Sequence, residues 1–215
     1  MATLNHIAYN IAEMQGRADD MAFVEQKKFQ IEYTRSLLFR RDFERTPAMP
    51  IQMIQTLEGL DVISVDAAAG AGVEIGCSIY RTKVKIPAPI NLKGSNAFVF
   101  VGTIDQARSF SYIDPNSLEY LQYNKFQKTP KGFYYKDGYI YLVNTTPKKI
   151  TVRYILDRPS ELMDMFKPSG EAYFNEEDVY PITGDLIQRV TQTILATEAR
   201  VDGQEDDHKI NVDEQ

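Results

Sequence analysis

The hydrophobic pattern of this chain changes its period twice along its 215 residues. Residues 1–50 repeat apolar side chains every three or four positions, which is typical of helices. Residues 51–157 form short alternating or apolar runs between turn signals, which is typical of strands. Residues 158–201 return to the helical spacing. The pattern therefore predicts an α+β fold, in which N-terminal and C-terminal helices pack as one layer beside an antiparallel β-sandwich or small barrel.

The N-terminal part predicts two helices. Thr3 is a suitable N-cap for the first and Gly16 a suitable stop. The second begins at Asp19 and Asp20 and runs to about Phe43. Its apolar residues form two rows about 150° apart on the helix surface. One row contains Met21, Val24, Ile31, Leu38 and Phe39, and the other contains Phe29, Tyr33 and Leu37. Two interpretations stay open: a central helix packed on two sides within one domain, or a helix with one row against a neighbouring subunit.

Within the β region, Asp137-Gly138 lies between two aromatic runs and predicts a two-residue type I′ hairpin. The sequence also favours strands from Ile51 to Leu57 and from Leu60 to Val65, and short helices over 116–123 and 159–166. Seven tyrosines fall between Tyr112 and Tyr141. They fit either cross-strand aromatic pairs or the exposed face of a carbohydrate- or receptor-binding module.

The C-terminal part predicts a last helix that starts near Pro181 and packs on the N-terminal helices. Its buried stripe includes Leu186, Val190 and Ile194. Residues 202–215 hold six carboxylates against Lys209, so they carry almost all of the chain's net charge of −6. Their composition predicts an acidic extended tail that cannot fold alone.

The residue inventory argues against several classes of protein. Cys77 is the single cysteine, and the two histidines lie near the termini. We therefore expect no disulfide framework, no cofactor, no metal site and no enzymatic role, for Cys77 or elsewhere. The spacing of glycines 70, 72 and 76 is one residue too long for a dinucleotide site, and a strand-like run follows. We also expect no secretory signal, no membrane span and no basic face for nucleic acid.

Motifs along most of the chain occur in a definite order. They are Thr3–Ile11, Gly16–Asp20, a long helix with Arg35, Asp137–Leu142, Lys149–Tyr154, Arg158-Pro159, and Tyr180-Pro181-Ile182 leading to a helix that ends at Val201. Together these segments resemble head–tail connector proteins of tailed bacteriophages, in particular those of crAss-like and related Bacteroidota phages.

The resemblance implies a structural virion protein without catalytic residues. Such proteins form a ring adaptor at the portal vertex, usually with the twelvefold symmetry of the portal. They join the portal protein to the next tail ring or tail-barrel protein and extend the DNA channel. The resemblance thus implies a homo-oligomer, made in the host bacterial cytoplasm and located in the virion. Since the body of the chain is nearly neutral, we expect DNA to pass without specific binding. The alternative is a tail-associated β-rich binding module.

A ring needs two different faces of each subunit in contact. The second apolar row of the long helix fits one such face. The tail fits another contact, because Ile210 and Val212 are two residues apart, as in an extended segment with one face covered. We expect the tail to dock on a neighbouring subunit or on the portal, with docking on its own domain as the alternative. The candidate interface residues are Phe29, Tyr33, Leu37, Asp206, Asp207, Ile210 and Val212.

Overall fold

The computed structural model describes residues 2–65, 79–117 and 131–213, and for residues 200–213 it describes the backbone alone. Cys77, the glycine-rich run 70–76 and most of the short helix expected at 116–123 lie outside these ranges. Residues 115–117, which are described, form a 3₁₀ turn.

Three α-helices form one layer: α1 (Leu4–Met14), α2 (Met21–Arg45) and α3 (Gly184–Asp213). The caps agree with the sequence prediction. The Thr3 hydroxyl accepts a hydrogen bond from the His6 amide at 3.1 Å, and the Asp20 carboxylate accepts one from the Phe23 amide at 3.1 Å. Each bond satisfies a donor that the first helical turn leaves unpaired.

Seven strands form a single sheet in the order β3-β7-β1-β2-β6-β5-β4. The strands are β1 (Ile54–Ser64), β2 (Ile79–Thr82), β3 (Phe98–Thr103), β4 (Ser111–Tyr112), β5 (Gly132–Lys136), β6 (Tyr139–Val143) and β7 (Lys149–Ile155). All neighbours are antiparallel except β4 and β5. The two edges approach each other where the Phe110 amide donates to the Val101 carbonyl at 2.8 Å, one residue before β4. The sheet is therefore a nearly closed small barrel, which confirms the predicted class.

The β5–β6 hairpin confirms the turn that the sequence predicts. Asp137 and Gly138 both have positive φ, at 53° and 86°. Two consecutive left-handed residues define the type I′ turn, whose twist matches that of the flanking strands.

Helices and barrel share one hydrophobic core. It runs from Ile7 and Ile11 of α1 through Ile31 of α2 to Leu57 and Val152 of the barrel. Three residues of α3 join it, as the sequence predicts: Leu186, Val190 and Ile194 are at most 4% exposed. The Phe98 ring contacts Phe133, Tyr135 and Tyr154 inside the barrel.

Two short segments differ from expectation. Residues 51–53 form a 3₁₀ turn instead of the start of a strand, and β1 then runs without a break from Ile54 to Ser64. A register shift between Leu57 and Leu60, where Gly59 has φ +71°, absorbs the break that the sequence indicated. The helix expected at 159–166 is a 3₁₀ turn over Pro159–Leu162.

The C-terminal tail is the larger correction. α3 continues to Asp213, so residues 202–213 are helical and the expected extended form is wrong. A helix already nucleated by packing adds further residues at little cost, because each new residue gains a hydrogen bond. In a helix, Ile210 and Val212 are about 200° apart, so they cannot share the single covered face that an extended segment would give them.

Candidate functional site

An apolar row of α2 faces solvent. Among the residues of α2 between Lys27 and Arg40, the three exposed ones are Phe29, Tyr33 and Leu37, at 55%, 61% and 50%. Their spacing of four places them in one line along the helix. We call these three residues the exposed row. The interpretation that α2 buries both of its apolar rows within the subunit is therefore wrong for this row.

The other apolar row of α2 is buried, with one exception. Val24, Ile31, Leu38 and Phe39 are at most 5% exposed, whereas Met21 is 60% exposed. Met21 is the first residue of α2.

Contacts on both sides of α2 explain why so narrow a stripe stays open. On one side, α2 packs on α1 and α3. On the other, the Glu32 carboxylate accepts hydrogen bonds from the Ser160 amide at 2.9 Å and from the Ser160 hydroxyl at 2.7 Å. The Arg158 guanidinium lies 5.1 Å from the centroid of the Phe29 ring. A cation beside an aromatic ring is a favourable contact, and it borders the row with positive charge.

Two ion pairs connect α2 to α3. Arg189 of α3 donates two hydrogen bonds to the Asp42 carboxylate, one of them at 2.9 Å, and this lowers the pKa of Asp42. The Lys27 ammonium, on a fully buried side chain, donates to the Glu198 carboxylate. Because Asp42 is near the end of α2 and Lys27 is near its start, the two helices run antiparallel. These pairs hold α2 in the orientation that presents the exposed row.

Arg35 joins three segments behind the exposed row. Its side chain is fully buried. The Nε atom donates to the Pro181 carbonyl at 2.8 Å, and Nη1 donates to the Leu156 carbonyl at 3.0 Å. The nearby Glu32 is also buried, and loss of hydration raises its pKa. The sequence named Arg35 through the resemblance, but nothing in its spacing indicated that it is buried or which carbonyls it would bind.

The structure does not bring the C-terminal candidate residues to the exposed row. Asp206, Asp207, Ile210 and Val212 lie in the last turns of α3, where the backbone alone is described. Their role in an interface stays a prediction.

The described tyrosines of the β region mainly support the barrel. Tyr134 and Tyr141 stack with ring centroids 4.9 Å apart and are at most 9% exposed. Burial raises the pKa of Tyr134 to about 12. Tyr135 and Tyr154 pack around Phe98. These four residues thus fit cross-strand pairing better than a binding face, while Tyr112 is 48% exposed.

The described residues contain no group of three or more His, Cys, Asp or Glu side chains placed to hold a metal ion. Among their helices, none is both long enough and apolar enough to cross a membrane.

Comparison with known proteins identifies the family. A search of curated proteins finds no match. The family model of phage tail ring protein 2, from crAss-like phages, matches residues 6–213, which is nearly the whole chain. The match covers α1, α2, the barrel and α3. The chain therefore belongs to the phage tail ring protein 2 family of crAss-like phages, and it is a structural ring component of the virion tail.

Proposed function

We propose that this chain forms a ring adaptor at the portal vertex of the virion. The ring has the twelvefold symmetry of the portal, joins the portal protein to the next tail ring or tail-barrel protein, and extends the DNA channel. The family supports the ring. The observation that supports the subunit contact is the exposed row of α2, an aromatic and aliphatic line at the solvent-facing positions in the middle of that helix.

A closed ring of identical subunits needs a heterologous contact, in which one surface of each subunit meets a different surface of the next. Solvent-facing helix positions normally carry polar residues. Phe29, Tyr33 and Leu37 depart from that rule together. Each is 50–61% exposed, so a partner that covers the exposed part gains about half of the roughly 1.5–3 kcal/mol that complete burial of such a side chain contributes. Phe and Tyr are also enriched at the cores of protein interfaces. The exposed row is therefore one of the two ring surfaces.

The charge of the chain suits a passage for DNA. Its net charge is −6, and tight binding to duplex DNA needs several cations on phosphates. DNA can pass through such a ring without being held by it.

A single charge in the exposed row tests the proposal. Tyr33→Asp should abolish or strongly weaken rings, because the interface would bury an unpaired carboxylate. Tyr33 is exposed in the subunit, so the melting temperature should change little. Ile104→Asp is a matched control, since Ile104 is 52% exposed and lies outside α2. Light scattering and negative-stain imaging would be recorded with and without purified portal rings. If Tyr33→Asp and Ile104→Asp form rings equally well, the exposed row is not a ring surface. If the wild-type protein stays monomeric with the portal present and binds glycans, the alternative of a binding module is favoured.

A further inference from the structure

Four cations lie at or next to the place where β2 meets the β5–β6 hairpin. The Arg81 guanidinium is 4.2 Å from the centroid of the Tyr139 ring, and the Lys85 ammonium is 5.8 Å from the same point. Lys83 lies between them in sequence, and Lys136 is paired with Tyr139 in the sheet register. We call Arg81, Lys83, Lys85 and Lys136 the basic patch.

The basic patch has no ion pair in its own subunit. In the part of the chain that the structure describes, no carboxylate is within 4 Å of any of its four cationic groups. Asp61 pairs with Lys149 at 3.5 Å, and Asp137 is exposed in the hairpin turn. Glu161 and Asp164 line the same cavity as Lys85 without pairing with it. The four cations of the patch are therefore open to a carboxylate from outside the subunit.

The end of α3 supplies the opposite charge. Glu198, which pairs with Lys27, is the last α3 residue with a described side-chain contact. The helix continues for 15 residues to Asp213, about 22 Å. Because α3 is antiparallel to α2 and Lys27 is six residues from the start of α2, this length carries α3 past the end of its partner. We call residues 199–213 the acidic arm.

Four of the five acids of the arm fall on one helical face, which also carries the position of Lys209, whereas Asp207 lies outside it. Asp202, Glu205, Asp206 and Asp213 are four, seven, eight and fifteen positions after Glu198. At 100° per residue these positions span about 100° of the helix. Asp202 and Asp206 are about 6 Å apart along the axis.

Arg81 lies near the end of β1 that is far from the contact of α2 with the barrel. Arg35 of α2 donates to the Leu156 carbonyl, next to Ile155, which pairs with Ile54 at the start of β1. Arg81 pairs with Ile63, nine residues further along β1, which is about 30 Å of strand. A head-to-tail contact between arm and patch of neighbouring subunits is the arrangement that a ring requires.

We propose that the acidic arm of each subunit docks on the basic patch of a neighbouring copy of this chain, a contact that rests on the proposed ring. The occupant is identified by charge. The arm holds five carboxylates against Arg200 and Lys209, and the patch holds four cations that lack carboxylate partners among the described residues. The contact between arm and patch is additional to the contact made by the exposed row. It is electrostatic, so salt should weaken it, whereas the apolar contact of the exposed row should not weaken in this way.

A charge-swap experiment on the full chain tests the contact. Lys83→Glu/Lys85→Glu/Lys136→Glu reverses the patch at three exposed positions, from a charge of +4 to −2. Asp202→Lys/Asp206→Lys reverses the arm, from −3 to +1. Each variant alone should assemble at least about tenfold more weakly than wild type in 50 mM salt, since like charges would face each other. An equimolar mixture of the two should restore assembly, because alternating subunits then match patch to arm at every contact. Lys93→Glu/Lys131→Glu, the same change at exposed lysines outside the patch, should have no effect.

Cross-linking gives a readout that does not depend on ring closure. A photoreactive phenylalanine in place of Tyr139, in a mixture of isotopically light and heavy chains, should cross-link to residues 199–213 of the other chain. Cross-links within one chain, or none to the arm, would overturn the contact. If the protein binds a DNA duplex through the patch and no cross-link to the arm forms, the contact between arm and patch is wrong and DNA is the partner of the patch.

The two proposals fail in different ways. If every charge variant forms rings as wild type does, the arm contact is wrong and the ring adaptor stands. If wild type forms no ring with or without the portal, the ring adaptor is wrong, and the cross-links still decide the arm contact.

Discussion

Arg35 shows how one buried side chain can position a surface. It lies directly below the stripe of α2 that carries Tyr33 and Leu37, and its guanidinium fixes the carbonyls of Pro181 and Leu156. These carbonyls belong to the segments before α3 and after β7. The guanidinium therefore fixes α2, the barrel and α3 relative to one another, and through them the direction in which the exposed row faces.

Removing this guanidinium should cost a large part of the stability. We expect Arg35→Met to lower the free energy of unfolding by about 3 kcal/mol, because two buried carbonyls lose their donors and Glu32 loses a nearby positive charge. Arg41→Met, at an exposed position of the same helix, should change it by less than about 0.5 kcal/mol. Urea denaturation would measure both. Equal effects of the two variants would show that Arg35 does not have this role.

The Asp42–Arg189 pair should make its contribution dependent on pH. The hydrogen bonds from Arg189 lower the pKa of Asp42 in the folded chain below the ordinary value of 3.8. The pair therefore stabilises the fold above that value, and its contribution is lost as the pH falls through the folded-state pKa. Both side chains are about one-third exposed, so Asp42→Asn should cost about 0.5 kcal/mol at pH 7.

Urea denaturation of wild type and Asp42→Asn at several pH values checks this expectation. The difference between the two proteins should shrink to zero in strong acid. A difference that stays constant down to pH 2 would assign the effect of the substitution to packing instead of charge.

At the scale of elements, local chemistry made several features predictable. The caps of α1 and α2, the Asp137-Gly138 turn and the buried stripe of α3 depend on residues close in sequence. The exposed row was also visible as a second line of apolar residues on α2. Its exposure could not be predicted, because exposure depends on which segments flank α2. Apart from α1, those segments are more than 100 residues away in sequence.

The features that could not be predicted from the sequence depend on contacts between distant residues or on small energy differences. Closure of the barrel needs β3 beside the residues that precede β4, which spacing alone does not give. The tail was expected to be extended because its composition is polar, yet helix growth from a packed segment costs little. The basic patch could not be predicted because Lys83 and Lys85 follow the end of β2 at Thr82, and they meet Lys136 only through the pairing of β2, β6 and β5.

The hairpin that borders the basic patch offers a test of its turn. Gly138→Ala should lower the free energy of unfolding by about 1–2 kcal/mol, because φ is +86° and an added methyl carbon would lie 3.4 Å from the Lys85 side chain. Gly184→Ala is the matched control. Gly184 has open space around it and no positive φ, so alanine at the start of α3 should be neutral or slightly stabilising. Thermal denaturation would compare them, and equal losses would argue against strain at the turn.

At the scale of the molecule, the parts that the sequence separates share one core. The boundaries expected at 50, 157 and 201 remain predictions about organisation. Ile31 of α2, Val152 of β7 and Val190 of α3 belong to the same buried cluster. Arg35 and Glu32 add polar contacts between the helices and the segments that follow the barrel. A subunit built in this way can transmit force between neighbours in a ring without the layers separating.

The shared core predicts that helices and barrel unfold together. In urea, the far-ultraviolet circular dichroism of the helices and the near-ultraviolet signal of the tyrosines should change with the same midpoint and slope. Val190→Asp would place an unpaired carboxylate in the core, at a fully buried position of α3. It should lower the free energy of unfolding by several kcal/mol, and both urea midpoints should fall equally. Ile104→Asp, at an exposed position of the chain, should leave both nearly unchanged. A helical signal that is lost at lower urea than the tyrosine signal would instead show two units that fold separately. The exposed row would then be presented by a layer able to detach from the barrel.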